Sequence, residues 1–262
     1  MSNLVTWSSP LGGAGTTTAV WHMAQTASSL GEPVLMVDLS PMGTLSRLAA
    51  TDQGPGLAGV LTGSLDLQSA IRKTRVDNVH ILPSGALQEM LLAEALSDGS
   101  LGNLLSSLAE GPHPVFLDLP AGLPFLYSVA VSLSSWVLLA LPCKKEAIWR
   151  LPAMVAPLKS NAGPRRSVGI VISRFAAWSK AEFDQYQALR RSLPGSALWR
   201  TVIPIDDVFN ETTDRGLPAT VFSPESPGAR AFFDLFGEWT ARKALAQQKH
   251  PTDKGRPDAE EQ

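Results

Sequence analysis

Ser9-Pro10-Leu11-Gly12-Gly13-Ala14-Gly15-Thr16-Thr17-Thr18 joins a short apolar run at residues 4–7 to a helical pattern at residues 16–30. The glycines allow the backbone to curl so that successive N–H groups point inward, and the start of a helix adds positive potential. We therefore predict a phosphate-binding loop whose residues are Gly12, Gly13, Ala14, Gly15, Thr16, Thr17 and Thr18. The alternative is a tight turn between a strand and a helix that binds no ligand.

Short apolar runs alternate with helical patterns along the rest of the chain. The runs lie at residues 4–7, 33–38, 79–83, 114–118, 136–141, 167–173 and 198–203. The helical patterns lie at residues 16–30, 87–96, 101–110, 144–158 and 180–193. This order predicts a three-layer α/β fold, with a mostly parallel sheet of about seven or eight strands and helices on both faces. Ligands of such sheets bind at the carboxyl ends of the strands.

The composition excludes several functional classes. The 22 basic and 24 acidic side chains give a net charge of −2, which argues against a specific nucleic-acid partner. Cys143 is the single cysteine, which excludes a disulfide framework. The chain has neither a signal-peptide pattern nor about 20 consecutive apolar residues, so we expect a cytoplasmic protein without a transmembrane segment. Residues 244–262 are polar, and we expect a disordered tail there after a domain of residues 1–243.

Two aspartates extend the pattern that the glycine loop begins. Asp38 ends the second apolar run and Asp118 ends the fourth. In this order the three motifs resemble the MinD/ParA family, the deviant Walker A (SIMIBI) class of P-loop proteins, with its K-G-G-x-G-K-S/T-T, D-x-D-P and D-x-P-x-G motifs. The stretch at residues 203–206 is similar to the family's I-P-x-D segment, and the stretch at residues 216–218 to its G-x-P turn before the final helix. The resemblance covers about residues 1–240 and implies a P-loop NTPase-like fold.

The same resemblance implies a set of ligand contacts. ATP or ADP with Mg²⁺ would be the cofactor, if the chain binds one at all. The resemblance places Thr17, Asp38 and Asp118 near the metal. It places Ser173, Pro204 and Asp206 on the adenine side.

Four positions depart from the family's pattern. The family's signature lysine corresponds to Leu11, its P-loop lysine to Thr16, its water-positioning second aspartate to Ser40, and its adenine-reading asparagine to Ser173. Phosphoryl transfer depends on positioning and on neutralisation of charge at the γ-phosphate. We therefore expect no efficient hydrolysis and assign no catalytic residue.

The Gly-Ala-Gly-Thr-Thr-Thr segment is similar to the BcsQ (YhjQ) branch of the family, in which G-x-G-T-T-S occurs. The stretches at residues 30–38, 60–70 and 79–85 also resemble that branch, and a sister BcsP-like branch stays open. The resemblance implies an accessory or scaffold protein of bacterial cellulose secretion. It would be recruited to the cytosolic face of the inner membrane by synthase subunits and small adaptor proteins, as a homodimer or a heterodimer.

Two other functions stay open. The chain could be an active ParA/MinD-type ATPase that positions cargo or the septum. It could also be an ATP sensor whose dimerisation is switched by nucleotide. Thr16, Leu11 and Ser40 argue against the first of these, since an active ATPase of this family carries charged side chains at those positions.

Overall fold

Eight strands form one sheet in the order β3-β4-β2-β5-β1-β6-β7-β8. The computed structural model describes residues 2–49, 51, 54–160 and 166–249. The strands are β1 Leu4–Ser8, β2 Val34–Asp38, β3 Arg72–Lys73, β4 Val79–Leu82, β5 Val115–Asp118, β6 Trp136–Leu141, β7 Ser167–Phe175 and β8 Leu198–Pro204. β3 pairs antiparallel with β4, and the other pairings are parallel. The predicted fold class is confirmed.

Helices connect these strands. They are α1 Thr16–Ser29, α2 Thr44–Leu48, α3 Gly56–Leu61, α4 Leu67–Ala70, α5 Glu89–Ser97, α6 Ser100–Ala109, α7 Pro124–Leu133, α8 Lys145–Ser160, α9 Lys180–Ser192, α10 Val208–Arg215, α11 Ala219–Phe222 and α12 Pro227–Lys249. The five predicted helical patterns correspond to α1, α5, α6, α8 and α9, whose bounds agree within two residues, whereas α12, the longest helix, lies outside all of them. None in the described part of the chain is long and apolar enough to cross a bilayer.

The sheet carries a separate apolar core on each face, because neighbouring strand residues point to opposite sides. On β1, Leu4 belongs to the core under α5, α6 and α7, whereas Val5 belongs to the core under α1 and α12. The second core holds five buried tryptophans, Trp7, Trp21, Trp136, Trp199 and Trp239. Burial on both faces explains why the central strands consist of continuous apolar runs.

The C-terminal helix extends beyond the predicted end of the domain. α12 runs to Lys249, so residues 244–249 of the expected tail are helical. Lys243 lies over the ring of Trp239, with its Nζ 5.0 Å from the ring centroid, and Ala246 packs against the second core. Through these contacts, the last turns of α12 pack against the rest of the domain. Residues 250–262 lie outside the described residues.

Candidate functional site

The glycine loop is open and leads into α1. Gly13 and Gly15 have φ of +72° and +88°, in the left-handed region that side chains with a Cβ rarely adopt. Gly12 and Gly13 are exposed, with no atom within 4 Å of the positions that a Cβ would take. Thr16, Thr17 and Thr18 form the first turn of α1, which has no side-chain cap and no acidic residue. The loop therefore keeps the positive end of the helix available to an anion.

Asp38 and Asp118 lie side by side at the carboxyl edge of the sheet. They are register partners on β2 and β5, and both are buried. Oδ1 of Asp38 accepts a hydrogen bond from the backbone N–H of Ser40 at 3.0 Å. Its Oδ2 accepts from the N–H and the hydroxyl of Ser46, at 2.8 and 2.7 Å. Burial raises the pKa of Asp38 despite these donors. The carboxylate of Asp38 thus holds the loop after β2 in place.

The carboxylate of Asp118 has fewer hydrogen-bond partners than that of Asp38. The hydroxyl of Thr17 donates a hydrogen bond to this carboxylate, but its buried Oδ2 has no partner among the described residues. Burial, together with the nearby charge of Asp38, raises the pKa of Asp118 to about 7. A carboxylate oxygen beside a hydroxyl suits Mg²⁺, which takes one or two carboxylates and completes its shell with phosphates and water. Of the three predicted metal ligands, Thr17 and Asp118 fit the ion.

The described residues offer no larger metal site. They contain no group of three or more His, Cys, Asp or Glu side chains that could hold an ion. A metal at Asp118 would thus take most of its ligands from a bound molecule.

The loops after β2 and β4 are tied together beside this pair. The backbone N–H of Ser84 donates to the hydroxyl of Ser46 at 3.0 Å, and that hydroxyl donates to Asp38. The loop after β4 also packs closely against the start of α3, because a Cβ on Gly85 would lie 2.1 Å from the carbonyl oxygen of Pro55, the N-cap residue of that helix. The hydroxyl of Ser46 thus connects Asp38 to the loop after β4, and the close approach at Gly85 joins that loop to the start of α3.

A small cleft of about 140 Å³ opens between the glycine loop and the ends of β7 and β8. The predicted adenine-side residues Ser173, Pro204 and Asp206 line it together with Ala14, Gly15 and Thr18. The structure therefore brings the predicted phosphate and adenine residues to one place.

Ser173 and Asp206 differ in what they offer to a ligand. The hydroxyl of Ser173 is buried and has no hydrogen-bond partner among the described residues. Asp206 accepts hydrogen bonds from the N–H groups of Val208 at 3.0 Å and Gly228 at 2.7 Å. Its carboxylate therefore anchors α10 and α12, which wall the cleft, whereas Ser173 is free to bind.

Two arginines that no sequence motif marks flank the glycine loop. Arg174 follows Ser173, has φ of +49°, and lines the cleft. Its Cγ lies 3.7 Å from the position that a Cβ on Gly15 would take. On α8, Nη1 of Arg150 approaches the carbonyl oxygen of Pro10 at 3.5 Å. The absence of lysine from the loop is the one sequence signal that would prompt a search for such side chains.

The chain is similar to known proteins over most of its length. A family model described as AAA domain matches residues 3–161. The chromosome-partitioning ATPase Soj of Thermus thermophilus is 29% identical over 245 residues, which cover 88% of this chain and 92% of Soj. The septum site-determining protein MinD of Pyrococcus horikoshii, complexed with Mg-ADP, gives a TM-score of 0.78 at 26% identity, covering 94% of this chain and 99% of MinD. The cell division ATPase MinD of Pyrococcus furiosus gives a TM-score of 0.78 at 27% identity, over 92% of this chain and 100% of that one.

Proposed function

Since the chain belongs to the AAA domain family, with MinD/ParA-type ATPases as its relatives, we propose that it binds Mg²⁺-ATP or Mg²⁺-ADP and hydrolyses ATP slowly or not at all. The observation that carries this proposal is the unpaired, buried oxygen of Asp118 beside the hydroxyl of Thr17, at the start of α1. Bound Mg²⁺ would neutralise charge on the phosphates. The loop N–H groups would hold the phosphate oxygens, and the hydroxyl of Ser173 would face the base or the sugar.

Slow hydrolysis follows from the side chains that face the phosphates. Thr16 supplies no charge where the family has its P-loop lysine, and Leu11 supplies none at the signature position. The hydroxyl of Ser40 accepts a hydrogen bond from the N–H of Met42 at 3.2 Å, so it stabilises a turn. It cannot act as the carboxylate that orients an attacking water. The loss of one such group typically costs several orders of magnitude in rate.

We propose further that the chain acts as an accessory and scaffold protein of cellulose secretion, in the BcsQ or BcsP-like branch. The Gly-Ala-Gly-Thr-Thr-Thr segment supports this assignment. Two aromatic side chains in the first turns of α7 and α8 are exposed, Phe125 at 80% and Trp149 at 72%. Exposed aromatic residues are frequent anchors of protein interfaces. They would contact synthase subunits or small adaptors at the cytosolic face of the inner membrane, or a second copy of the chain.

Calorimetric titration with Mg-ATP tests the nucleotide proposal. We expect micromolar binding by the wild-type protein and none by Gly15→Asp, which places a carboxylate in the phosphate loop. Gly63→Asp is the matched control, because Gly63 also has a positive φ (+70°) and lies in open space after α3. Wild-type protein that binds no nucleotide at millimolar ATP would overturn nucleotide binding.

The second candidate is an active positioning ATPase, which the similarity to Soj along most of both chains favours. Hydrolysis assays with and without DNA, and with a partner peptide, separate the two functions. Stimulated turnover would support the positioning ATPase. The scaffold would be supported by two results together. Turnover would stay at its basal rate in every condition, and the protein would capture cytosolic synthase domains, with Trp149→Ser abolishing that capture.

The remaining candidate is an ATP sensor that dimerises. Gel filtration with and without Mg-ATP tests it. A dimer that appears only with nucleotide would support the sensor, and a monomer in both conditions would exclude it.

A further inference from the structure

The phosphate loop carries no cationic side chain of its own. Residues 9–18 include no lysine or arginine. The phosphate chain of ADP or ATP bears several negative charges, and hydrogen bonds from charged donors to phosphate are roughly twice as strong as neutral ones. A ligand in this loop would thus be held more weakly than in an ordinary P-loop unless a cation reaches it from another part of the chain.

Arg174 lies against the last glycine of that loop. Its Cγ is 3.7 Å from the position of a Cβ on Gly15, so the stem of the side chain rests on the loop. The residue is exposed, and within the described residues its side chain forms no hydrogen bond or ion pair. From Cγ, two more bonds lead through Cδ to the guanidinium, whose five N–H donors suit phosphate oxygens.

The backbone at Arg174 is held in an unfavourable conformation. Its φ of +49° lies in the left-handed region, which is unfavourable for a residue with a Cβ. The pairing of β7 with β8 shifts register between Ile172 and Phe175, at the point where Arg174 stands. Residues in such conformations concentrate at binding sites.

The neighbouring residue points independently to a ligand. The hydroxyl of Ser173, 2% exposed, lines the same cleft and has no partner among the described residues. Of the acidic residues that line the cleft, Asp206 has both oxygens engaged by backbone N–H groups, and Asp207 is exposed. Arg174 is therefore available to an anion that enters the cleft.

We propose that Arg174 replaces the missing P-loop lysine as the cation for nucleotide binding and contacts the phosphate chain from the side of the cleft. This inference rests on the proposed nucleotide binding. Gly15 lies at the cleft end of the loop, so the charge reaches the phosphates nearest the sugar, which ADP and ATP share. Arg174 thus strengthens the binding of both nucleotides without restoring hydrolysis.

Calorimetric titrations of Arg174→Gln with Mg-ADP and Mg-ATP test this role. A charged hydrogen bond contributes about 1.5–3 kcal/mol, so we expect the affinity for both nucleotides to fall about 10- to 100-fold. Arg191→Gln is the matched control, because Arg191 is also exposed but lies in the last turn of α9, away from the cleft. Arg174→Lys should retain part of the affinity, and Thr16→Lys should restore it in the Arg174→Gln background.

The outcomes separate the two proposals. If wild-type protein binds nucleotide and Arg174→Gln binds it equally well, Arg174 has no such role and nucleotide binding still stands. If wild-type protein binds neither nucleotide, both proposals fall. If Arg174→Gln folds poorly, Arg174→Gly is the alternative variant, because glycine lacks the side chain and tolerates the left-handed backbone. Nucleotide affinity equal to that of the wild-type protein in Arg174→Gly would also overturn the assignment.

Discussion

At the scale of single residues, the titration of Asp118 links the site to stability. Its pKa is raised from an ordinary 3.8 to about 7 by burial and by the charge of Asp38. Between these pH values the folded chain holds a proton that the unfolded chain has released. This carboxyl therefore lowers the free energy of unfolding as pH rises from about 4 to about 7. Buried His22, whose pKa is lowered to about 4, acts in the opposite direction.

We predict that Asp118→Asn gains stability relative to the wild-type protein as pH rises from 5 to 8. Asparagine does not ionise, so the buried charge that the wild-type protein must carry at pH 8 is absent. Urea unfolding of both proteins at the two pH values measures the difference, in which the contribution of His22 cancels. Asp184→Asn, on the exposed surface of α9, should keep the wild-type profile. A difference between Asp118→Asn and wild type that does not change with pH would contradict the prediction.

Gly85 permits the close approach of the loop after β4 to the start of α3. We predict that Gly85→Ala lowers the free energy of unfolding by more than Gly63→Ala. Both glycines have positive φ, +64° and +70°, and share a backbone cost of about 1–2 kcal/mol. Only the Cβ at Gly85 would meet backbone, 2.1 Å from the oxygen of Pro55, whereas Gly63 faces open space. Overpacking of this kind adds about 1–3 kcal/mol. Urea unfolding measures both variants, and equal losses would show that the loop after β4 and the start of α3 separate freely.

At the scale of elements, Glu238 attaches α12 to β8. Its carboxylate accepts hydrogen bonds from the N–H groups of Arg200 and Thr201, each at 3.0 Å, and from Arg242 at 2.8 Å. Burial opposes ionisation of this group, but these donors outweigh it and lower the pKa. Its contribution to stability is therefore present above its ordinary pKa of 4.5 and is lost as pH falls below that value.

We predict that Glu238→Ala lowers the free energy of unfolding by about 2 kcal/mol at pH 7, because several donors lose a charged acceptor. Glu238→Gln keeps one acceptor oxygen and should lose less. Thermal and urea unfolding at pH 7 and pH 3.5 provide the test. A loss at pH 3.5 as large as that at pH 7 would show that the charge makes no contribution.

The elements that the sequence predicts are those with a long local pattern. The apolar run at residues 136–141 is continuous over six residues, and the helix that follows the glycine loop extends over several turns, so the predicted bounds of both elements agree closely with the structure. β3 has only two residues, Arg72 and Lys73, which is too short for any periodicity. The contact between Arg174 and Gly15 depends on a register shift between β7 and β8, which sequence spacing does not reveal.

The sequence predicts the roles of some site residues better than those of others. The motif around Asp118 predicts a metal ligand from the residue type and its position at the end of a strand, and this role stays a prediction. Asp38 matches the same pattern, but its oxygens are engaged by Ser40 and Ser46, and hydrogen bonds of this kind follow only from the folded loop. Asp206 likewise anchors two helices that lie after it in the chain.

At the scale of the whole molecule, the core under α12 joins distant parts of the chain. Trp239 is 1% exposed and contacts the ring of Phe116 on β5, at a centroid distance of 5.7 Å. We predict that Trp239→Ala lowers the free energy of unfolding by about 3–5 kcal/mol. Trp178→Ala, at a site 76% exposed, should change it by less than about 0.5 kcal/mol. Circular dichroism during denaturation measures both, and similar values for the two variants would contradict a shared core.

The two edge strands of the sheet also affect how the protein behaves at high concentration. A strand with free N–H groups along its outer side can pair with another chain and begin aggregation. At one end that strand is β3, which is two residues long and carries Arg72 and Lys73. At the other end, the outer N–H groups of Arg200 and Thr201 on β8 are occupied by Glu238. The carboxylate that anchors α12 therefore also protects the chain from intermolecular strand pairing at high local concentration.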